Sequence, residues 1–136
     1  MKIFLDSSAL IAYYNADDKY HAEALEAFKK IEKGEIPLTR FFITDFIFDE
    51  TITFIECVLN RHELAQSIGE ALLTSPFTTM LRVDEEAFHG AWDFFKGNKG
   101  YSFTDCTSFT LMKENGVTHA FTFDEHFKDA GFQLIP

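Results

Sequence analysis

Residues 2–14, "KIFLDSSALIAYY", decide the fold. Ile3, Phe4 and Leu5 run straight into an acid, Asp6, after which apolar residues return at helical spacing, with Leu10, Ile11 and Tyr14 on one face. A short unbroken apolar run signals a strand covered on both faces, as in a parallel sheet, rather than one half in water. The chain thus begins with an interior strand that passes directly into a helix, with a carboxylate at the junction.

The same alternation continues downstream. "DKYHAEALEAFKKIEKG" is a helix with Tyr20, Ala24, Ala27, Phe28 and Ile31 on one stripe and Gly34 as its stop. "LTRFFIT" reads as a strand, and "DFIFDETITFIECVL" as a long, largely buried helix opened by Thr44 or Asp45. "HELAQSIGEALL" is a further helix, ended by "TSPF". "TTMLRV" is a third strand, and "DEEAFHGAWDFF" an amphipathic helix with Phe88, Ala91, Trp92 and Phe95 inward. "KGNKGYS" is a loop, expected to be the most flexible section, and "TDCTSFTLMKENG" a helix capped by Thr104 and closed at Asn115 and Gly116. "HAFTF", "DEHFKDAG" and "FQLI" supply a fourth strand, one or two helical turns and a last short strand.

Strands separated by helices, without hairpin-length connections, pair in parallel through right-handed crossovers. The predicted fold is α/β, a three-layer α/β/α sandwich around a mostly parallel sheet of four to five strands. At 136 residues, without repeats, low-complexity segments or a linker, residues 1–136 are expected to form a single domain.

Composition narrows the function. Hydrophobic residues make up 46% and charged residues 25%, a balance that excludes disorder. The 17 Phe residues fall within the periodic segments, where they serve core packing with a surplus for a subunit interface. No window approaches the roughly 18 uninterrupted apolar residues of a membrane span, and no signal peptide is visible, so a cytoplasmic protein is expected. Cys57 and Cys106 have no metal-ligand spacing and are expected to be buried. The net charge of −10 argues against a broad surface for nucleic-acid phosphates and favours a basic partner. It weighs less against an enzyme that meets a short single strand through metal ions and a few basic residues.

Four acids stand in notable settings. Asp6 and Asp124 each follow an apolar strand, and ligands of open parallel sheets bind outside the carboxyl ends of strands. Taken singly, either also reads as an ordinary helix N-cap. Asp105 lies in the first turn of its helix, where an anion is stabilised, and on the side shared with Phe109 and Met112. Glu50 competes with Asp49. The latter shares a polar stripe with Asp45, Thr53, Glu56 and Asn60, whereas Glu50 aligns with Ile47, Phe54 and Val58 and is expected to be the buried one.

If the four converge, each pair about 5 Å apart repels by roughly 3 kcal/mol at an effective dielectric near 20. Several such pairs rival the ~5–15 kcal/mol stability of a whole domain. Either some acids hold protons or a cation sits among them, and oxygen donors select a hard ion, Mg²⁺ or Mn²⁺. Such ions bind a phosphodiester, activate water and stabilise the leaving oxygen, which implies hydrolytic phosphoryl transfer.

The ordered set "IFLDSSAL", "TDFIFDETIT", "YSFTDCTSF" and "AFTFDEHF" resembles the PIN-domain nucleases, and in size the chain is similar to the VapC-type toxin ribonucleases of toxin–antitoxin pairs. The resemblance implies that Asp6, Glu50, Asp105 and Asp124 are a catalytic quartet that binds Mg²⁺ or Mn²⁺ and cleaves single-stranded RNA. Ser7 and Ser102 match small polar positions that orient acids or water, and helix capping is the competing reading for both. The resemblance further implies a homodimer neutralised by an antitoxin whose basic segment enters the acidic groove. Lys96 and Lys99 are the candidates for RNA phosphate, against a bland reading as solvated loop residues.

Two other classes compete. A non-catalytic PIN-like binding module keeps the fold but usually lacks an acid, and all four are present. A receiver-like phospho-acceptor needs adjacent acids after the first strand and a closing Lys, where this chain has "LDSS" and "QLIP"; a dehalogenase-type phosphatase needs an acid where Ser8 stands. His21, His62, His89, His119 and His126 form no zinc motif and read as surface or packing residues, and Thr122 as a strand residue.

Overall fold

The computed structural model describes residues 1–136. Its elements in chain order are β1 (Lys2–Leu5), α1 (Ser7–Tyr14), α2 (His21–Glu32), β2 (Arg40–Thr44), α3 (Asp45–Thr53), α4 (His62–Thr74), β3 (Thr78–Leu81), α5 (Glu85–Gly97), α6 (Phe103–Glu114), β4 (His119–Phe121), α7 (His126–Asp129) and β5 (Gln133–Ile135). All five strands are parallel, in the order β3-β2-β1-β4-β5, flanked by the seven helices. The expected α/β sandwich is therefore observed, with a wholly parallel sheet.

The apolar run of β1 lies at the sheet's centre. Ile3, Phe4 and Leu5 are essentially inaccessible, because β1 has neighbours on both edges and helices on both faces. Strand pairing sets Ile3 beside Phe41 and Leu5 beside Phe121, and both of those rings pack on Phe28 of α2. Phe4, on the opposite face, packs on Phe127 of α7, which in turn meets Phe109 of α6 edge-on. The abundance of Phe thus fills the two layers either side of the sheet.

Helix ends follow the sequence closely. Thr44 caps α3 by accepting from the Ile47 N–H at 3.0 Å. Gly34 and Gly116 adopt positive φ just past α2 and α6, and the α6 end closes with Val117 N–H on Met112 O and Gly116 N–H on Lys113 O, a Schellman arrangement.

Several expectations are corrected. The cap of α6 is Ser102, not Thr104: its Oγ accepts from the Asp105 N–H at 3.0 Å, and the helix starts at Phe103. In α5 the inward side chains are Ala87 and Ala91, while Phe88, Trp92 and Phe95 are about 40% exposed around Phe103. The cause is close helix packing at one crossing: a Cβ on Gly90 would come within 3.3 Å of Thr110, so small residues sit there, while Phe94 packs on Phe109 further along α6. The long helix expected after β2 widens into a π-helical turn at Phe54–Val58, which shifts the faces and leaves Val58 60% exposed and Cys57 exposed as well. Cys106 is buried as expected. The loop after α5 begins only at Asn98, so Lys96 belongs to that helix's last turn. No helix is long and apolar enough to cross a membrane.

Phe109 is 1% exposed and touches Phe94, Tyr101, Phe127 and Phe132. Truncation to Ala leaves a cavity that these rings cannot fill. Phe109→Ala is expected to lower unfolding free energy by about 3–5 kcal/mol, read from urea unfolding.

Candidate active site

In this strand order the chain runs outward from β1 through β2 and β3, then returns to place β4 on the other side of β1. The direction of winding reverses between β1 and β4, the place where parallel sheets open a crevice at the strands' carboxyl ends. Asp6 leaves β1 there and the segment from Thr122 to Asp124 leaves β4. The Asp6 N–H donates to Phe121 O at 3.1 Å, which extends the sheet pairing one residue past the strand.

Asp6 is 4% exposed. Its Oδ2 accepts two hydrogen bonds of 2.7 Å, from Ser8 Oγ and Thr122 Oγ1. The same hydroxyls bind the second segment, since Ser8 Oγ accepts from the Phe123 N–H and Thr122 Oγ1 from the Asp124 N–H, each at 3.0 Å. Ser8 and Thr122 therefore clamp the β1 and β4 exits together around one carboxylate. Neither was identified from the sequence as a site residue. Their only linear signal is a hydroxyl two residues from each acid.

Glu50 reaches the site from outside. Contrary to its predicted burial it is exposed, as is Asp49, and Glu50 Oε1 accepts a hydrogen bond from Ser7 Oγ. Both acids line a groove of about 470 Å³ with Phe46, Phe54 and Thr104. Helical spacing misplaced Glu50 because its stripe enters the core only at Ile47, while Glu50, Phe54 and Val58 line this groove. Ser7 thus contacts Glu50 directly, whereas Ser102 caps α6 through the Asp105 N–H.

Asp105 is 9% exposed. His126 Nδ1 lies 3.2 Å from its Oδ2 and 3.4 Å from Asp124 Oδ1. Asp124 Oδ1 also accepts from the His126 N–H at 2.9 Å, a local turn that opens α7. Sequence reasoning passed over His126, because its two acid partners come from α6 and from the β4 exit. Lys96 pairs with Asp93 at 3.4 Å on the surface, and Lys99 is exposed in the loop before α6.

The electrostatics match a crowded acidic site. Burial, with smaller contributions from Asp105 and Glu50, pushes the Asp6 carboxyl up to about 6 despite its two hydroxyl donors. Burial, then Asp124, raises Asp105, while His126 pulls it down. The hydrogen bond to Asp105 in turn holds the His126 imidazole above its ordinary range. No lysine or arginine pairs with any of the four acids; the His126 imidazole is their one basic partner. Oxygens of Asp105 and Asp124 lie within 4.8 Å of each other, Asp6 and Glu50 stand near enough for Asp6 to feel Asp105 and Glu50, and with no lysine or arginine to compensate the charge these acids fit a hard divalent cation.

Fold and site together define a class. The PIN domain family model matches residues 3–133, and the chain belongs to that family. Among individual proteins, it is 30% identical over 134 residues to the 23S rRNA-specific endonuclease VapC20 of Mycobacterium tuberculosis, spanning 96% of this chain and 95% of that protein. It is 25% identical over 117 residues to a VapC ribonuclease of Archaeoglobus fulgidus, covering 84% and 72% of the two chains. The crystal structure of M. tuberculosis VapC20, described as a Sarcin-Ricin loop cleaving toxin, superimposes with a TM-score of 0.81 at 28% identity, covering 96% of this chain and 95% of that one.

An acid whose folded pKa is raised takes up a proton on folding. The stability linked to Asp6 is therefore present below its unfolded value of 3.8 and lost as pH rises through about 6. Asp6→Asn, which carries no charge, should unfold several degrees above wild type near neutral pH in metal-free buffer, with the gap closing below about pH 4. Thermal melts across pH check this, and a constant gap would contradict it.

Proposed function

We propose that this chain is a metal-dependent endoribonuclease that hydrolyses phosphodiester bonds of single-stranded RNA and is the toxin of a toxin–antitoxin pair, acting as one domain. The observation that carries the reading is the gathering of Asp6, Glu50, Asp105 and Asp124, from four separate chain segments, at one crevice without a lysine or arginine partner. Membership of the PIN family and similarity to proteins named as VapC ribonucleases support it.

Asp6, Glu50, Asp105 and Asp124 would hold Mg²⁺ or Mn²⁺. When bound, the ion supplies Lewis acidity toward a phosphoryl oxygen and lowers the pKa of attacking water. The chain's own contribution is positional. Ser8 and Thr122 engage one oxygen of Asp6 and fix its rotamer. Ser7 draws Glu50 from the groove wall toward Asp6, and the Ser102 cap fixes the first turn that carries Asp105. The exposed groove along Phe46 and Phe54 leaves room for an unpaired strand, and unstacked bases in loops are the usual targets of sequence-specific RNA recognition. The names of the relative and of its crystal structure make a ribosomal RNA loop the first substrate to try. A basic antitoxin segment suits a chain of net charge −10, and the homodimer is proposed on family grounds.

The direct test compares wild type, Asp6→Asn and Asp105→Asn on a stem-loop RNA, with Mg²⁺ or Mn²⁺ and with chelator. Wild type is expected to cut only with metal, and each variant to be slower by about 10²–10⁴-fold. Equal cutting by the variants would place the activity elsewhere. Lys99 is proposed to meet RNA phosphate, with Lys96 as a weaker candidate. Lys99→Ala is then expected to weaken RNA binding uniformly across sequences and to reduce the slope of log affinity against log salt by about one, measured by fluorescence anisotropy.

A further inference from the structure

Three donor atoms at one end of the crevice, a carboxylate oxygen of Asp105, one of Asp124 and a ring nitrogen of His126, all lie within 4.8 Å of one another. The nitrogen is Nδ1, 3.2 Å from Asp105 Oδ2 and 3.4 Å from Asp124 Oδ1. Adjacent donors around an octahedral ion stand about 1.4 bond lengths apart, which is about 2.9 Å for Mg²⁺ and about 3.3–3.7 Å for the longer bonds of Ca²⁺. The observed separations exceed the Mg²⁺ value and approach those around a larger divalent ion.

The nitrogen is also held in place. The His126 N–H is anchored on Asp124 Oδ1 at 2.9 Å, so backbone and ring approach the same acid. Tyr101 meets the imidazole edge-on, with ring centroids 5.5 Å apart. With 44% of the side chain exposed, the ring remains open to an arriving ion.

We propose that His126 is an imidazole ligand to the ion shared by Asp105 and Asp124, and that it makes the site discriminate in favour of Mn²⁺ over Mg²⁺. The inference rests on the metal-dependent reading above and adds a nitrogen donor to an all-oxygen set. Mg²⁺ keeps its water and oxygen ligands, whereas imidazole suits first-row transition ions, so the nitrogen strengthens Mn²⁺ binding and adds little for Mg²⁺. Binding releases to solvent the proton that Nδ1 shares with Asp105 Oδ2, so that the Nδ1 lone pair of the neutral ring forms the bond and the remaining ring proton stays on Nε2.

Electron paramagnetic resonance of Mn²⁺ added to the full chain separates the outcomes. Loss of the free-ion signal reports binding, spin-echo modulation from directly bound ¹⁴N reports the ligand, and Mg²⁺ competition reports selectivity. Wild type is expected to bind Mn²⁺ with a nitrogen coupling. His126→Asn and His126→Gln, each verified as folded by thermal melting, should lose the coupling and bind Mn²⁺ about tenfold more weakly, with Mg²⁺ affinity nearly unchanged. In Asp105→Asn, both the coupling and tight binding should disappear. Bound Mn²⁺ without nitrogen coupling in wild type, or a coupling that survives in the His126 or Asp105 variants, would overturn the role of His126 and leave the metal-dependent reading standing. Failure of wild type to bind Mn²⁺ at all would remove both.

Discussion

Mutual repulsion among carboxylates held close together, one of them buried almost completely, is the constraint on which the rest of this structure depends. Asp6 sits at the end of the most protected strand in the sheet, where ionisation is opposed by burial and by Asp105 and Glu50 nearby. Such an arrangement persists only if the surrounding structure holds the groups in place more strongly than they drive one another apart. Here that restraint comes from a rigid sheet below and a hydroxyl network at its edge.

The sheet supplies position. With helices on both faces and aromatic side chains filling both layers, β1 cannot shift, and the parallel register fixes the exits of β1 and β4 side by side. Ser8 and Thr122 then join the two exits through Asp6, and Thr122 passes the connection to the backbone of Asp124. From Asp124 it continues to His126 and across to Asp105. Hydrogen bonding thus links three of the four acids in one chain, and the exposed Glu50 joins separately through Ser7.

That division has chemical meaning. The linked acids are backed by the protein interior, so their geometry is set by folding. Glu50 approaches from the solvent side along a groove wide enough for a substrate, where its position is set by a single hydroxyl contact. His126 lies between two acids as the one basic side chain at the site, a nitrogen in a pocket otherwise made of oxygens.

Much of this was legible in the linear sequence because it rests on local rules. Unbroken apolar runs such as "KIFL" mark interior strands, glycines such as Gly34 and Gly116 mark helix ends, and acids directly after strands mark the edge where sites form. Local periodicity failed where neighbours decide the outcome. Close packing on α6 reserved the inner face of α5 for Ala87 and Ala91 and turned Trp92 outward, and a groove took Glu50 out of the core. Asp6, Asp105 and Asp124 were visible from sequence because each follows or opens an element whose pattern is local, and Glu50 was singled out by helical spacing that then misjudged its burial. Ser8, Thr122 and His126 were not, because a hydroxyl or an imidazole becomes part of a site only through partners distant in the chain, and only the tertiary fold brings those partners within reach.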